Sequence, residues 1–325
     1  MEAKIHHYVP KFLIRNFGLG KKDQVWVYDK ANGRTFAANA KNVAGENRFY
    51  EFEYDGVSYS LESSLSLIES RSKDVIDKLL HADSVGVLSG TERGVLSSFL
   101  AIQLVRTKSY REQWADMPRL IREKLGRSGD VVAPGSQAAE LARDPTESEV
   151  KFETARMLAE APEAYGPHFL NKVWFLAKTT KAFPFVLGDN PISLQNHVDM
   201  GAFGNLGLAL KGIEIYLPLS STRALAMWCP SLASMIAEAA ATIRALPRSM
   251  LDGQIVDPDG MLELDEVLRT GRSTAYKQKN VVNFNALQIG RSERYIFSSI
   301  KDFSLAEKML LDHPELKRGP RMKVS

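Results

Sequence analysis

Residues 5–17 have the sequence IHHYVPKFLIRNF, which combines two adjacent histidines with a dense run of apolar and aromatic side chains. Chain ends commonly fray, but Tyr8, Pro10 and the apolar residues after them are typical of a segment that packs onto a folded core. We therefore expect this segment to be anchored and to hold the imidazole rings of His6 and His7 in fixed positions.

The residues that follow this segment predict β-structure. Residues 24–29 alternate as a strand does, with Val25 and Val27 on one face. Asn32-Gly33 is a turn signal, so we expect residues 34–38 to return as a hairpin partner. Residues 47–54 are aromatic-rich and strand-like.

Helical spacing replaces this pattern in the middle of the chain. Residues 60–80 place leucine and isoleucine side chains on one face. The other helices predicted here are 91–110, opened by Thr91-Glu92, then 112–126 and 147–161, with a loop-rich stretch around a short helix at 127–147.

The second half of the chain mixes strands with helices. We expect residues 173–179 and 184–187 to form paired strands, and residues 250–276 to be mostly loop because of their Asp-Gly, Pro-Asp-Gly and Thr-Gly signals. The remaining predictions are strands at 212–217, 225–228 and 294–298 and helices at 231–246, 278–291 and 303–311.

This order of elements has no regular βαβ repeat and predicts an α+β fold. We expect mixed or antiparallel sheet elements with a helical middle section. The predicted organisation is a single domain over residues 1–325, with two lobes at 1–163 and 164–312 that share one core, and a basic, disordered tail at 313–325.

The composition is that of an ordinary soluble globular protein, with 44% hydrophobic and 25% charged residues. The net charge of +3 is too small to indicate a nucleic-acid-binding protein by itself. No stretch approaches the roughly 18 apolar residues of a membrane helix, and no secretory signal is visible. With one cysteine, an intrachain disulfide is excluded. We therefore expect a cytoplasmic protein without a membrane partner.

Two polar residues interrupt the apolar stripe of the helix predicted at 91–110. Gln103 and Arg106 fall inside this stripe and not opposite it. An unpaired guanidinium in apolar surroundings is costly, so Arg106 must meet an acid or line a wet cleft. A structural salt bridge and a functional site both satisfy that requirement.

Glu62 and Glu69 share a face of the helix predicted at 60–80, roughly 10 Å apart by the helical rise. That separation is too large for both side chains alone to hold one metal ion. It suits two carboxylates facing one elongated cleft, or a pair between one of them and Arg106. Glu69 lies closer to the apolar stripe, whereas for Glu62 we favour a solvated helix edge.

Asp189 and Asn190 follow the strand predicted at 184–187, within the sequence Gly-Asp-Asn-Pro. Proline favours an extended conformation at Asn190 and ends the strand. Asp189 would then lie at a strand end, where its carboxylate could project into a cleft. An ordinary Asp-Asn-Pro turn accounts for the same residues.

His6 and His7 are candidates for a general base, a metal ligand or a phosphate contact. Adjacent strand residues point to opposite faces, so we expect one of them to be functional and the other to pack or hydrogen-bond. The sequence contains no Cys/His pattern with zinc spacing, no phosphate-binding loop or dinucleotide fingerprint and no nucleophile elbow. A divalent metal ion is therefore a candidate cofactor without a defined set of ligands.

Several segments resemble the motif blocks of a bacterial family of domains of unknown function, family 4238. The blocks are HHYVPKFLIRNF, VWVYDK, NVAGENRFYEF, SLIES, AIQLVRT, FVLGDNPI and YLPLSSTRAL, followed by Asn285 before RSERYIFSS. The resemblance covers nearly the whole chain and marks Glu46, Phe49, Tyr50, Glu69, Gln103, Arg106 and Thr107. Ser292 departs from the pattern, where alanine is expected. Some relatives are associated with defence against phage, which implies an effector that damages nucleic acid or a nucleotide pool.

These observations predict a nuclease or another phosphoester-cleaving effector whose partner is nucleic acid or a nucleotide. A histidine would act as general base or metal ligand, Glu69 and Asp189 as ligands or acid/base partners, and Arg106 would neutralise charge on a phosphoryl oxygen. The predicted catalytic residues are His6, His7, Glu69, Gln103, Arg106, Asp189, Asn190 and Asn285, the three amides orienting the substrate. One alternative is a non-catalytic binding or sensing protein whose polar cluster is structural; another is a nucleotide- or sugar-modifying transferase.

Overall fold

Four separate β-sheets surround a helical middle section in the part of the chain that the structure, a computed structural model, describes. That part comprises residues 5–20, 23–54, 56–128, 133–198, 206–251 and 255–321. The strands are β1 (Ile5–His7), β2 (Gln24–Asp29), β3 (Arg34–Asn39), β4 (Gly45–Asn47), β5 (Glu51–Tyr54), β6 (Val57–Ser60), β7 (Val173–Lys178), β8 (Leu187–Gly188), β9 (Ser193–Asn196), β10 (Ile213–Ser220), β11 (Arg223–Trp228), β12 (Ser273–Ala275) and β13 (Tyr295–Ser298).

The helices begin with a short turn after β1 and then dominate the middle of the chain. They are α1 (Lys11–Arg15), α2 (Glu62–Ala82), α3 (Gly90–Val105), α4 (Lys108–Ala115), α5 (Met117–Ser128), α6 (Gln137–Leu141), α7 (Glu147–Leu170), α8 (Pro230–Ala245), α9 (Arg248–Leu251), α10 (Pro258–Thr270), α11 (Gln278–Arg291) and α12 (Ser304–Asp312). The predicted α+β class is confirmed. No helix among the described residues is long and apolar enough to cross a membrane.

The two larger sheets are almost entirely antiparallel. One has the order β12-β7-β11-β10-β9, in which only the β12–β7 pair is parallel. The other has the order β3-β2-β13-β8 and therefore joins strands from both ends of the chain. Two-stranded sheets are formed by β1 with β4 and by β5 with β6.

The hairpin between β2 and β3 is confirmed, and local chemistry explains its turn. Asp29 accepts hydrogen bonds from the backbone N–H of Ala31 and the side chain of Asn32. Gly33 has a φ of +68°, a conformation that costs glycine little. The register that follows pairs Asp29 with Arg34.

The main hydrophobic core has buried members from Tyr8 to Phe297, and a smaller cluster includes Phe303, Ala306 and Leu310 near the end of the described chain. The main core contains residues from both predicted lobes, and the lobe boundary at 163/164 falls inside α7. That helix is longer than the predicted 147–161 and includes Pro162 and Pro167. It packs against α3, so tertiary contacts support a helix that its prolines disfavour.

The helix predicted at 91–110 is shorter than expected, and this difference shapes the site. Ser89, not Thr91, caps α3 and forms a capping box with Glu92. The helix ends at Val105 because Thr107 adopts an extended conformation and caps the next helix, α4. α4 thus starts before residue 112, where the sequence predicted a single helix over 112–126. Arg106 consequently lies at a helix end, directly against β1.

Three other expectations are wrong. The stretch 250–276 contains α10, because Asp257 accepts a hydrogen bond from Gly260 N–H and caps a helix that starts with Pro258. Residues 173–179 and 184–187 do not pair with each other, since β7 joins β11 and β12 whereas β8 joins β13. The strand-like stretch 47–54 is divided between β4 and β5, which belong to different sheets, with Arg48 at a φ of +49° between them.

The segment predicted as a disordered tail is ordered through Arg321. It forms a 3₁₀ turn at Pro314–Lys317. Arg321 then pairs with Glu293 at 2.7 Å, and Gly319 N–H donates to the same carboxylate at 3.2 Å. This ion pair explains the departure from the prediction; residues 322–325 lie outside the described chain.

Candidate functional site

Arg106 lies at the centre of the first polar cluster and has only 1% of its surface exposed. Its Nη2 donates to Glu69 Oε1 at 2.7 Å and to the His7 carbonyl at 2.6 Å. Its Nε donates to the Tyr50 hydroxyl at 3.1 Å. Burial lowers the pKa of Arg106, but Tyr50 and Glu69 raise it by more, so the guanidinium stays charged. Of the two arrangements that the sequence left open for the glutamates of α2, Glu69 adopts the pairing with Arg106.

Tyr50 holds the two histidines of β1 in place. Its backbone N–H donates to His6 Nδ1 at 3.0 Å and its hydroxyl donates to the His7 carbonyl at 2.9 Å. The Tyr50 and His6 rings are stacked, with centroids 5.5 Å apart. Burial raises the pKa of Tyr50 to about 12, so the phenol remains a proton donor.

These contacts assign different chemistry to the two imidazoles. His6 accepts a hydrogen bond at Nδ1, so its proton lies on Nε2 and the ring acts there as a donor. His7 Nε2 is 3.1 Å from the Lys41 carbonyl, which can only accept, so the His7 proton lies on Nε2 and Nδ1 keeps its lone pair. Base or metal-ligand chemistry at Nε2 of His6 is therefore disfavoured, and His7 is the candidate base.

Three buried polar atoms of this cluster have no hydrogen-bond partner within the described residues: His6 Nε2, Arg106 Nη1 and Gln103 Oε1. The other end of the Gln103 amide donates to the Tyr8 carbonyl at 3.0 Å. All three residues are almost completely buried. Unsatisfied buried polar atoms are rare in native proteins, and ordered water or a bound ligand usually accounts for them.

Glu62 lies within electrostatic reach of this group, although we expected it at a solvated helix edge. Burial and the charge of Glu69 raise its pKa, while the charges of Arg106 and Lys11 lower it, and the net direction is upward. The seven-residue spacing of Glu62 and Glu69 was the sequence signal for this placement. We call His6, His7, Tyr50, Glu62, Glu69, Gln103 and Arg106 the N-terminal cluster.

Asp189 and Asn190 belong to a different set of contacts, between the end of β8 and the start of β13. Asp189 accepts hydrogen bonds from the backbone N–H groups of Glu293, Arg294 and Tyr295 at 2.6, 3.0 and 2.9 Å. Asn190 donates to the Arg291 carbonyl at 3.2 Å. Both side chains thus anchor the Gly-Asp-Asn-Pro segment to the residues that follow α11.

A buried lysine accompanies Asp189. Lys30 is 1% exposed and donates to the carbonyls of Ile289 and Ser292 at 2.8 and 2.6 Å. Burial lowers the pKa of Lys30 to about 8, against the charges of Asp189 and Glu293. Lys30 was not among the site residues predicted from the sequence. Its position in the block VWVYDK was the one sequence signal that could have indicated it. We call Lys30, Asp189, Asn190 and Glu293 the C-terminal cluster.

Asn285 lies in neither cluster. Its side chain accepts a hydrogen bond from Val186 N–H at 3.0 Å and donates to the Pro184 carbonyl at 3.0 Å. These bonds fix the chain before β8. The eight residues predicted to share one hollow are therefore divided among three places, with five of them together.

Tyr8 is hydrogen-bonded to the N-terminal cluster and lies within electrostatic reach of Asp189 in the C-terminal cluster. Burial raises the pKa of Tyr8 well above its usual value, and the charges of Asp189 and Glu46 raise it further. The Tyr8 carbonyl is the acceptor for Gln103. Glu46 in turn pairs with Arg111 and Lys108 on α4.

A family model, Protein of unknown function (DUF4238), matches residues 5–302. The chain belongs to the DUF4238 family. No curated protein and no solved structure matches it.

The described residues of this DUF4238 protein contain no ready-made metal site. Within the described ranges, no group of three or more His, Cys, Asp or Glu side chains is arranged to hold a metal ion. The N-terminal cluster offers Glu62 and Glu69 together with the Nδ1 lone pair of His7. A divalent metal thus stays a prediction, without a defined ligand set.

Proposed function

We propose that this protein is a phosphoester-cleaving enzyme acting on nucleic acid or a nucleotide, with the N-terminal cluster as its active site. The observation that supports this most is the pair of buried, unpartnered donors, His6 Nε2 and Arg106 Nη1. Preorganised donors in a buried site stabilise negative charge on an oxygen strongly, because little water competes with them. A phosphoryl oxygen is the group that this donor pair suits.

The remaining residues supply proton transfer. Burial is the main cause of the lowered pKa of His7, so the ring is neutral at pH 7 and Nδ1 can accept a proton from an attacking hydroxyl or water. Burial raises the pKa of Glu62, and a carboxyl with a raised pKa is the candidate general acid for the leaving oxygen. Glu69 and Tyr50 would hold Arg106 in position.

The cellular role is proposed from the family resemblance. We propose that the enzyme acts in the cytoplasm as an effector of defence against phage, where cleavage of nucleic acid or depletion of nucleotides would halt phage replication. The same cluster chemistry serves either substrate.

The test is an activity screen with matched variants. Single-stranded RNA, single- and double-stranded DNA and nucleoside triphosphates are incubated with the protein in Mg²⁺, in Mn²⁺ and in EDTA. We expect cleavage of at least one substrate, and a loss of about 10²- to 10⁴-fold in Glu62→Gln and in His7→Gln. Asp74→Asn, an exposed carboxylate on the same helix as Glu62, should keep full activity.

Two outcomes would contradict the proposal. One is wild-type protein that leaves every substrate intact under all three conditions. The other is a Glu62→Gln variant that folds normally and cleaves as fast as Asp74→Asn. Melting temperatures of all variants are measured in parallel, so that loss of fold is not mistaken for loss of chemistry.

A non-catalytic binding or sensing protein is the second candidate. It is favoured by the three hydrogen bonds through which Arg106 joins β1, α2 and Tyr50. The role of the cluster would then be to hold β1 against the rest of the fold. In that case His6→Ala should lower the melting temperature sharply. Under the enzymatic proposal, activity should fall much more than stability.

A further inference from the structure

The structure contains a cavity of about 640 Å³ that none of the predicted site residues lines. It opens between the five-stranded sheet, α10 and the start of α11. Its walls include Phe175, Glu214, Tyr216, Trp228, Tyr276 and Phe284. A volume of this size is typical of sites for small organic ligands.

A buried carboxylate lies in its wall. Glu214 is 7% exposed, and its Oε2 accepts hydrogen bonds from Gln195 Nε2 at 2.9 Å and from the Tyr216 hydroxyl. Its Oε1 accepts no hydrogen bond from the described residues. The His197 ring nitrogen is 3.7 Å from Oε1, but 79% of the His197 side chain is exposed.

No lysine or arginine of the described chain pairs with Glu214. Lys277 at the cavity rim is already 3.1 Å from Asp257. Among the charged lining residues, carboxylates outnumber lysines three to two, with Glu214, Asp257 and Glu263 against Lys277 and Lys279. The cavity therefore has an unbalanced negative charge, and Glu214 is its most buried source.

Aromatic rings around this carboxylate are held in fixed orientations. Trp228 Nε1 donates to the Tyr216 hydroxyl at 3.2 Å. The edge of one ring meets the face of the other in the Phe175–Trp228 pair at 5.0 Å and in the Tyr216–Phe284 pair at 5.5 Å. Rigid aromatic faces attract organic cations, and a nearby desolvated carboxylate adds to that attraction.

We propose that this cavity binds a small organic cation, an ammonium or guanidinium group carried on an apolar body. The cationic group donates a hydrogen bond to Glu214 Oε1, and the apolar body packs against the aromatic walls. The ligand thereby supplies the positive charge that the protein does not. This site is separate from the N-terminal cluster, and its test does not depend on catalysis.

Binding is measured by calorimetry on the full chain with three probes of similar shape: 2-phenylethylammonium, neutral 2-phenylethanol and anionic 3-phenylpropionate. We expect saturable binding of the ammonium, and affinity at least about tenfold lower for the alcohol and the carboxylate. Glu214→Gln should weaken ammonium binding by about tenfold or more, because it removes the charge but keeps an acceptor. Glu266→Gln, an exposed carboxylate of α10 that does not line the cavity, is the matched control and should bind nearly as the wild type does.

Several results would overturn this assignment. They are absence of saturable ammonium binding up to about 10 mM, binding of the carboxylate as tight as that of the ammonium, or unchanged affinity in a folded Glu214→Gln variant. If Glu214→Gln does not fold, the order of affinities of the three probes for the wild-type protein decides.

Discussion

The ion pair between Arg106 and Glu69 should dominate the attachment of the N-terminal segment. Arg106 is 1% exposed at its side chain and Glu69 is 23% exposed, so the two charges are unequally buried. Glu69→Gln leaves the guanidinium buried among neutral acceptors, a situation that costs about 3–5 kcal/mol when a buried pair is broken. Arg106→Met leaves a carboxylate that water can reach, but it also removes the hydrogen bonds that the His7 carbonyl and the Tyr50 hydroxyl accept from the guanidinium.

For Arg106→Met we therefore expect a loss of about 3 kcal/mol, made of about 1 kcal/mol for each hydrogen bond removed. Each single variant removes the same ion pair, so the double variant should lose less than the sum of the two. The expected coupling energy is about 1–3 kcal/mol. The assay is urea unfolding followed by far-UV circular dichroism, with all four proteins at one pH and one salt concentration.

The exposed pair Lys73–Asp77 on α2 provides the control cycle, because its two side chains are 49% and 48% exposed. Exposed pairs couple weakly, so this cycle should give a clearly smaller energy. The reasoning fails if Arg106→Met and Glu69→Gln prove additive within about 0.3 kcal/mol. It also fails if the control pair couples as strongly as Arg106 and Glu69 do.

Three further predictions concern single residues. Burial, with the charge of Lys11, lowers the pKa of His7, although the charge of Glu69 opposes this. Just below pH 6.5 the unfolded chain therefore binds more protons than the folded chain, and the free energy of unfolding should fall as the pH drops from 6.5. His7→Gln should flatten that slope in urea titrations at several pH values. Gly271 has a φ of +69° and a Cβ there would lie 2.5 Å from Val85 Cγ2, so Gly271→Ala should lose about 1–3 kcal/mol in the same assay. Asp189→Asn replaces the acceptor of three backbone N–H groups and should lower the unfolding free energy by about 2–4 kcal/mol, whereas the exposed Asp74→Asn should have little effect.

The polar residues of α3 were predictable because their chemistry forces a partner. Gln103 and Arg106 stood in an apolar stripe, and a guanidinium in such a place needs an acid; the sequence offered Glu69 on the neighbouring helix. The sequence could not indicate that α3 ends at Val105. That end depends on Thr107, whose hydroxyl accepts a hydrogen bond from Tyr110 N–H and starts α4.

The stretch 250–276 was predicted as loop because the residues that signal a turn also occur at the start of a helix. Asp257, Pro258 and Gly260 satisfy both a turn and a helix start, and only packing of α10 against α8 decides between them. Strand partners were equally out of reach, because β8 pairs with β13, more than 100 residues later in the chain. Periodicity within a segment contains no information about which distant segment it meets.

The placement of Glu62 and Asp189 was judged from their own helix or turn alone. Glu62 comes within reach of the N-terminal cluster because the Tyr50 carbonyl accepts a hydrogen bond from Leu61 N–H at the start of α2, a tertiary contact that the spacing of Glu62 and Glu69 alone does not indicate. Asp189 was assigned to the same hollow as Arg106, yet the three N–H groups that it binds belong to residues 293–295. The structure therefore has two clusters where the sequence predicted one shared pocket. Tyr8 is in electrostatic reach of Asp189, and its carbonyl accepts a hydrogen bond from Gln103.

This arrangement explains why the segments that resemble the family blocks lie so far apart in sequence. The block at residues 6–17 is held by Tyr50 from NVAGENRFYEF and by Arg106 from AIQLVRT, and Arg106 in turn pairs with Glu69 from SLIES. A strand needed only for stability could be held as well by apolar side chains, since replacing buried ion pairs with hydrophobic residues is often neutral or stabilising. The unsatisfied donors at His6 and Arg106 add a further cost. A cluster that lowers the stability of the fold in this way is better explained by a ligand that accepts hydrogen bonds from those donors than by the fold alone.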